Sequence, residues 1–117
     1  MILPSDPRQL VIDLIPRSIC SVRVAAVVVD GWGIFGWSWN GVGDGFGEHA
    51  EAACIRRSNK RRLRGSTIYV AAVRMRSTRP CTVTARPCRA CEMLLRAYGI
   101  DRIVYRNKEG IWVSHTS

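Results

Sequence analysis

Two short stretches of the sequence contain residue types that bind transition metals. His49 and Glu51 lie together in the first stretch, and Cys88 and Cys91 lie together in the second. Zinc prefers nitrogen and sulfur ligands, and a catalytic zinc site uses three protein ligands and leaves a fourth position for water or substrate. The pattern therefore predicts a catalytic site for one Zn²⁺ ion, with His49, Cys88 and Cys91 as its ligands.

A helix start explains how the second stretch could present two thiols together. Pro87 directly precedes Cys88, and proline is favoured where a helix begins because its φ angle is already helical. Cys88 and Cys91 would then lie on one face of the first turn, where free backbone N–H groups stabilise thiolates. Two thiolates also cancel the double charge of the ion, so a helix N-terminus is compatible with zinc.

Glu51 adds a possible proton carrier to the metal site. It stands close to His49 without being needed as a ligand. Zinc lowers the pKa of water toward neutrality, and a carboxylate nearby could take the proton of that water, protonate a ring nitrogen and help an amino group leave as ammonia. These are the parts that hydrolytic deamination of an amidine carbon requires.

The pattern H-x-E…P-C-x-x-C is the signature of zinc-dependent base deaminases. The sequence resembles the zinc-dependent cytidine and deoxycytidylate deaminase superfamily over residues 22–113, and residues 66–70 and 98–105 resemble the family's strands on either side of the cysteines. The resemblance implies that Glu51 is the catalytic residue and that a cytosine-type base is the substrate.

Several residues are candidate substrate contacts. In the family an asparagine after the second strand holds the sugar, and Asn40 matches that position, although a turn asparagine is the ordinary alternative. Phe46 could stack on a base or anchor a loop. Arg86 and Arg89 could meet a substrate phosphate or be surface arginines, and the family often has an acid where Arg86 stands. The full predicted set is Asn40, Phe46, Ala50, Arg86, Pro87 and Arg89.

Other uses of the cysteines remain open. A Cys-x-x-Cys pair can be a redox pair or half of a structural zinc knuckle. Cys81 could join His49, Cys88 and Cys91 to make a closed, structural site. His49 and Glu51 argue against the first alternative, and Cys81 lies in a stretch with no matching position in the family. Glu51 argues against a zinc-stabilised binding module, because a purely structural site has no need of a carboxylate there.

Hydrophobic periodicity predicts the elements that position these residues. Helices are predicted over residues 7–15 and 48–60, and a third helix begins at the cysteine motif and is completed by residues 92–98. Strands are predicted over residues 22–29, 34–39, 66–75, 102–106 and 111–113, and a loop over residues 77–86. The last two strands should be antiparallel, because the link between them is too short for a crossover helix. The sequence therefore predicts a single domain over residues 1–117, with a three-layer α/β/α fold around a mixed five-stranded sheet.

The charge of the chain is strongly positive. Lys and Arg number 18 and Asp and Glu number 9, for a net charge of +9, which attracts polyanions or phosphorylated substrates. One basic cluster follows the first motif and can be a solvated helix end or a site for single-stranded nucleic acid. Its members are Arg56, Arg57, Lys60, Arg61, Arg62 and Arg64.

The predicted closing hairpin resembles the branch of the superfamily that contains free nucleoside deaminases and several nucleic-acid-attacking toxins. The leading prediction is deamination of cytosine to uracil on a free nucleoside or nucleotide. The alternative is a cytosine or adenine deaminase that acts on single-stranded DNA or RNA. Small relatives of the nucleoside branch form dimers or tetramers, so the resemblance also implies a possible homo-oligomer.

The expected compartment is the cytoplasm. Prolines and acids interrupt any signal-peptide core near the N-terminus, and no apolar run reaches the ~20 residues of a membrane span. The five cysteines form an odd set, which fits a reducing compartment better than a disulfide framework.

Overall fold

The computed structural model describes residues 6–41 and 48–116. A short 3-10 turn, Ile15–Arg17, follows the first helix. In chain order the elements are α1 (Pro7–Leu14), β1 (Val22–Asp30), β2 (Gly33–Trp39), α2 (Ala50–Arg57), α3 (Lys60–Leu63), β3 (Thr67–Arg76), β4 (Arg79–Val83), α4 (Arg89–Ala97), β5 (Arg102–Arg106) and β6 (Trp112–Thr116). None of the described helices is long and apolar enough to span a membrane.

The strands form one mixed sheet in the order β2-β1-β3-β5-β6. The pair β3 and β5 is parallel, and β1 runs antiparallel to both β2 and β3. The last two strands, β5 and β6, are antiparallel, as the short link between them predicted. The α/β class and the closing hairpin are therefore confirmed.

The predicted count of five strands was wrong, because the described sheet has six. The extra strand, β4, pairs antiparallel with the C-terminal half of β3, where the sequence predicted a loop. Two features hide it from sequence patterns. Ser77 adopts a φ of 56° in a turn without glycine, and Pro80 is disfavoured in strands except at sheet edges, which is where β4 lies.

Strand alternation divides the apolar side chains between the two faces of the sheet. On one face, Ala25 and Val27 of β1 pack against the buried residues of α1. On the other face, Ala26 and Val28 pack in a cluster that holds buried residues of α2, α3 and α4. The helices that carry the two chemical motifs thus share one face of the sheet.

The helix predicted over residues 48–60 is interrupted at Ser58. The Ser58 hydroxyl donates a hydrogen bond of 2.6 Å to the Cys54 carbonyl, and the backbone of Ser58 is extended. Asn59 then caps α3 by accepting from the Arg61 N–H. Serine competes with the helix for backbone hydrogen bonds, so the chain turns here and α2 ends against the sheet.

Gly36 of β2 makes room for this turn, and we predict that Gly36→Ala destabilises the fold. An added Cβ would overlap the Ser58 hydroxyl and lie 2.9 Å from Val28 Cγ2. Overpacking of this kind costs about 1–3 kcal/mol, which a urea unfolding curve would measure. The matched control is Gly31→Ala, where the added Cβ has no atom within 4 Å. Equal stability of the two variants would contradict the close approach.

Candidate zinc site

The three predicted ligands lie at two neighbouring helix starts. His49 is the N-cap residue of α2 and Cys88 is the N-cap residue of α4. Neither side chain caps its own helix. Cys91 lies within the first turn of α4 and is only 5% exposed. The His49 and Cys88 side chains accept no hydrogen bond from the first backbone N–H groups of their helices. Both side chains are therefore free to face each other.

The ligand atoms have the spacing of a zinc tetrahedron. His49 Nδ1 lies 3.2 Å from Cys91 Sγ and 3.7 Å from Cys88 Sγ, and the three ligating atoms are all within 4.8 Å of one another. Ordinary zinc–nitrogen and zinc–sulfur bonds in a tetrahedron would separate nitrogen and sulfur by about 3.6 Å. The geometry therefore fits one zinc ion without rearrangement of the helices.

The buried thiol of Cys91 requires a cation to ionise. Burial, together with the neighbouring Glu51 and Cys88, raises the pKa of Cys91 to about 12. A coordinated metal ion deprotonates a thiol outright. The chemistry of the donor set thus favours a metal centre over a free thiol pair.

Glu51 lies in the first turn of α2, beside the ligands. Its side chain is buried, with 5% exposed. Burial raises the pKa of Glu51, while its backbone N–H and the nearby His49 act in the opposite direction. The raised pKa favours the protonated form of the carboxyl group, the form that can donate a proton.

A cavity of about 300 Å³ brings these groups to one surface. His49, Glu51 and Cys88 line it together, and Cys91 lies behind them in the core. Ligand pockets of enzymes have volumes of about 300 Å³ or more. The cavity is therefore large enough to admit a small substrate to the metal and the carboxyl group.

Comparison with known families agrees with this geometry. Residues 9–107 match the model of the cytidine and deoxycytidylate deaminase zinc-binding region. The chain belongs to this family. A search of curated proteins gave no match. Membership makes the His49, Cys88 and Cys91 cluster the zinc site of a deaminase domain.

Asn40, the predicted sugar contact, lines the cavity of this deaminase domain. Its side-chain oxygen accepts from the Ser18 hydroxyl at 2.6 Å and from the Val24 N–H at 3.0 Å, and its Nδ2 donates to the Val22 carbonyl at 2.8 Å. Asn40 thus ties the end of β2 to β1. Its second amide proton has no acceptor within the described residues, so contact with the sugar stays a prediction that depends on that proton.

Only some of the other predicted substrate contacts line the cavity. Ala50 and Arg86 line the cavity, whereas Pro87 and Arg89 do not. Arg86 is exposed at the rim, and Arg89 is exposed at the first residue of α4. Phe46 lies outside the described residues. Substrate contact by each of these side chains stays a prediction.

The sequence did not identify five residues of the cavity wall. One of them, Thr84, carries a hydroxyl that accepts a hydrogen bond of 3.3 Å from the Arg86 N–H. No motif marked Thr84, because it follows the strand β4 that the sequence missed. The alternation of β1 and its register with β3 would have indicated Val22, Val24 and Ala72. The five are Val22, Val24, Ala72, Thr84 and Ala85.

Two arginines of the basic cluster are neutralised by carboxylates. Arg56 donates two hydrogen bonds of 2.9 Å to Glu48, and Arg62 donates two of 2.7 Å to Asp30. The bond from Arg62 lowers the pKa of Asp30 to about 2, and the bond from Arg56 lowers the pKa of Glu48. These two arginines hold α2 and α3 to neighbouring parts of the chain.

Two further members of the cluster also have structural contacts. Arg57 lies over the Trp39 ring, 5.7 Å from its centroid, and the Lys60 ammonium donates to two backbone carbonyls at the end of α2. Arg61 and Arg64 are exposed. Binding of single-stranded nucleic acid by the cluster therefore stays a prediction that depends mainly on Arg61 and Arg64.

The ligand assignment predicts how zinc content responds to single cysteine changes. Cys91→Ser should release zinc during dialysis against a chelator, with a loss of affinity beyond the roughly 10- to 100-fold that outer partners of a metal site cause. Elemental analysis would measure the zinc bound per chain.

Cys81→Ser is the matched control. Cys81 lies on β4 and is not part of the ligand group that the described residues form, so this variant should keep its zinc. Equal zinc loss in both variants would instead support the closed set of four ligands.

Proposed function

We propose that the protein is a zinc-dependent hydrolase that converts a cytosine-type base to a uracil-type base and ammonia. One observation carries the proposal: the zinc ligands His49 and Cys88 line a single cavity with the buried Glu51 carboxyl group, and the ligand atom of Cys91 lies within 4.8 Å of theirs. A structural zinc site would need neither the cavity nor the carboxyl group. Membership in the cytidine and deoxycytidylate deaminase family supports the same reaction.

The residues divide the work of the reaction. His49, Cys88 and Cys91 hold the zinc ion, which when bound makes a water molecule easier to ionise near neutral pH. Glu51 takes a proton from the attacking water and delivers it to the ring nitrogen of the base. A carbon–oxygen bond forms as the ring carbon–nitrogen double bond becomes a single bond. Glu51 then transfers the second proton of the water to the amino group, and the carbon–nitrogen bond to that group breaks as it leaves as ammonia.

The walls of the cavity suit a base and its sugar. Val22, Val24 and Ala72 give an apolar surface on one side, and Asn40 gives an amide. A flat heterocycle can lie against apolar walls while a few polar groups fix its orientation. A free nucleoside or nucleotide, the leading sequence prediction, needs no contact outside this cavity, whereas a base within a strand needs a cationic surface beside it.

We predict that Glu51→Gln abolishes deamination while zinc content is unchanged. Glutamine keeps the shape of the side chain but cannot carry the proton, and loss of a general acid–base group costs about 10²- to 10⁴-fold in rate. Product analysis by mass spectrometry would measure uracil formation from cytidine, deoxycytidine and their monophosphates. Adenosine in the same panel would test the choice of base.

Glu48→Gln is the matched control, because the Glu48 carboxylate bonds Arg56 and does not line the cavity. This variant should deaminate at the wild-type rate. Activity retained in Glu51→Gln, or lost equally in both variants, would refute the role assigned to Glu51.

A further inference from the structure

Three arginines extend the face of the sheet that carries the zinc site. Ala72 of β3 lines the cavity, and Arg74 and Arg76 follow it at two-residue steps, so their side chains leave the same face of the strand. Arg79 of β4 pairs directly with Arg76 across the β3–β4 hairpin and therefore shares that face. We call Arg74, Arg76 and Arg79 the hairpin arginines.

The hairpin arginines adjoin the cavity wall. Arg74 pairs with Val22 of β1, and Val22 itself lines the cavity. At about 3.3 Å per residue, Arg74 lies about 7 Å beyond Ala72 along β3 and Arg76 lies about 13 Å beyond it. The cations thus begin beside the cavity and continue away from it.

These three cations are exposed and have no carboxylate partner among residues 6–41 and 48–116. None of the ion pairs formed by the described residues involves them, and all three are exposed. Like charges directly opposite each other in a sheet are destabilising, so the pairing of Arg76 with Arg79 does not serve the fold. This contrasts with Arg56 and Arg62, which are neutralised by carboxylates.

We infer that the hairpin arginines bind successive phosphates of a single-stranded polynucleotide whose cytosine-type base occupies the zinc cavity. The inference rests on the proposed deaminase function, because it assigns the substrate of the same site. Arginine binds phosphate through paired N–H groups. A row of cations that leads away from the cavity matches a row of phosphates, whereas a single nucleotide offers its charge only at the near end.

A single-stranded polynucleotide is favoured over a duplex, because the reacting base must be able to reach the cavity. The reacting base must enter the cavity beside the zinc ligands, and a base inside a duplex cannot do so without leaving its stack. Arg86 lines the cavity and lies between the hairpin and the ligand Cys88 along the chain, so a further cation borders the cavity.

The first experiment measures binding alone. Fluorescence anisotropy of a labelled single strand of mixed sequence, as DNA and as RNA, gives the affinity of the zinc-loaded protein at several salt concentrations. Three phosphate contacts predict a slope of about −2 for log K against log salt, or a loss of about 20-fold between about 50 and 200 mM. Combined Arg74→Gln, Arg76→Gln and Arg79→Gln changes should make the measured slope shallower by about 2.

A charge-matched variant controls for net charge. Arg8→Gln, Arg102→Gln and Lys108→Gln together remove the same number of cations from α1, from β5 and from the turn after β5, and should leave the slope unchanged. An equal change of slope in this control would overturn the inference. A change of slope in Arg61→Gln with Arg64→Gln, but not in the hairpin variant, would overturn it in favour of the cluster after α2.

Two measurements guard against a folding defect. The hairpin variant should melt at the wild-type temperature or above it, because it removes a like-charge pair. Replacement of the three arginines by lysine keeps the charges and should retain the slope.

A competition experiment tests whether the surface binds any polyanion. If polyglutamate of equal charge displaces the labelled polynucleotide as effectively as the unlabelled polynucleotide does, the inference is overturned.

Deamination is measured separately, so that the two proposals can fail separately. If no base is deaminated but the hairpin variant changes the slope, the reaction is rejected and the binding surface stands. If the strand is deaminated and the hairpin variant changes neither slope nor rate, the reaction stands and the binding surface is rejected. Both proposals together predict that the hairpin variant loses activity on the strand and keeps it on free cytidine.

Discussion

The site depends on the close approach of two helix starts over one face of the sheet. His49 and Cys88 are cap residues, so their positions are set by where α2 and α4 begin. Both helices begin at that point because their buried residues, such as Ala50 and Leu95, pack in the same core cluster. Zinc coordination tolerates errors of only a few tenths of an ångström in ligand distance. The packing of two helices on strands thus fixes a metal centre that neither motif could form alone.

The far end of α2 is positioned as closely as its start. Ser58 fits against Gly36 of β2 only because that strand position lacks a Cβ, and the Ser58 hydroxyl closes the helix on the Cys54 carbonyl. Cys54 itself is fully buried, and burial raises the pKa of its thiol to about 12. Cys54 is not part of the ligand group that the described residues form, so its thiol packs in the core without a metal partner there. The same helix therefore presents metal ligation at one end and an inert packing thiol in its middle.

Sequence patterns predicted the residues of the site better than the path of the chain around it. The zinc ligands could be named because their chemistry depends on residue type and spacing, and the strands of the central sheet because their alternation is strong. The strand β4 could not be predicted, because the turn before it uses Ser77 at positive φ instead of the glycine that usually marks such a turn. The break at Ser58 depends on the space at Gly36, a contact between residues far apart in sequence that no local pattern records.

The contacts of the arginines depend on the tertiary structure and could not be predicted from the sequence. An arginine next to other arginines suggests an anion-binding cluster, but in the fold Arg56 and Arg62 meet carboxylates from other segments. Arg74 and Arg76 lie in β3, and Arg79 lies in β4, which the sequence predicted as part of a loop. The strand register places Arg76 and Arg79 directly opposite each other. A buried carboxyl group such as Glu51 costs stability, and so does an arginine opposite another arginine in a sheet. Both groups lie beside one cavity, where the proposed reaction requires the carboxyl group and the proposed polynucleotide substrate would meet the arginines.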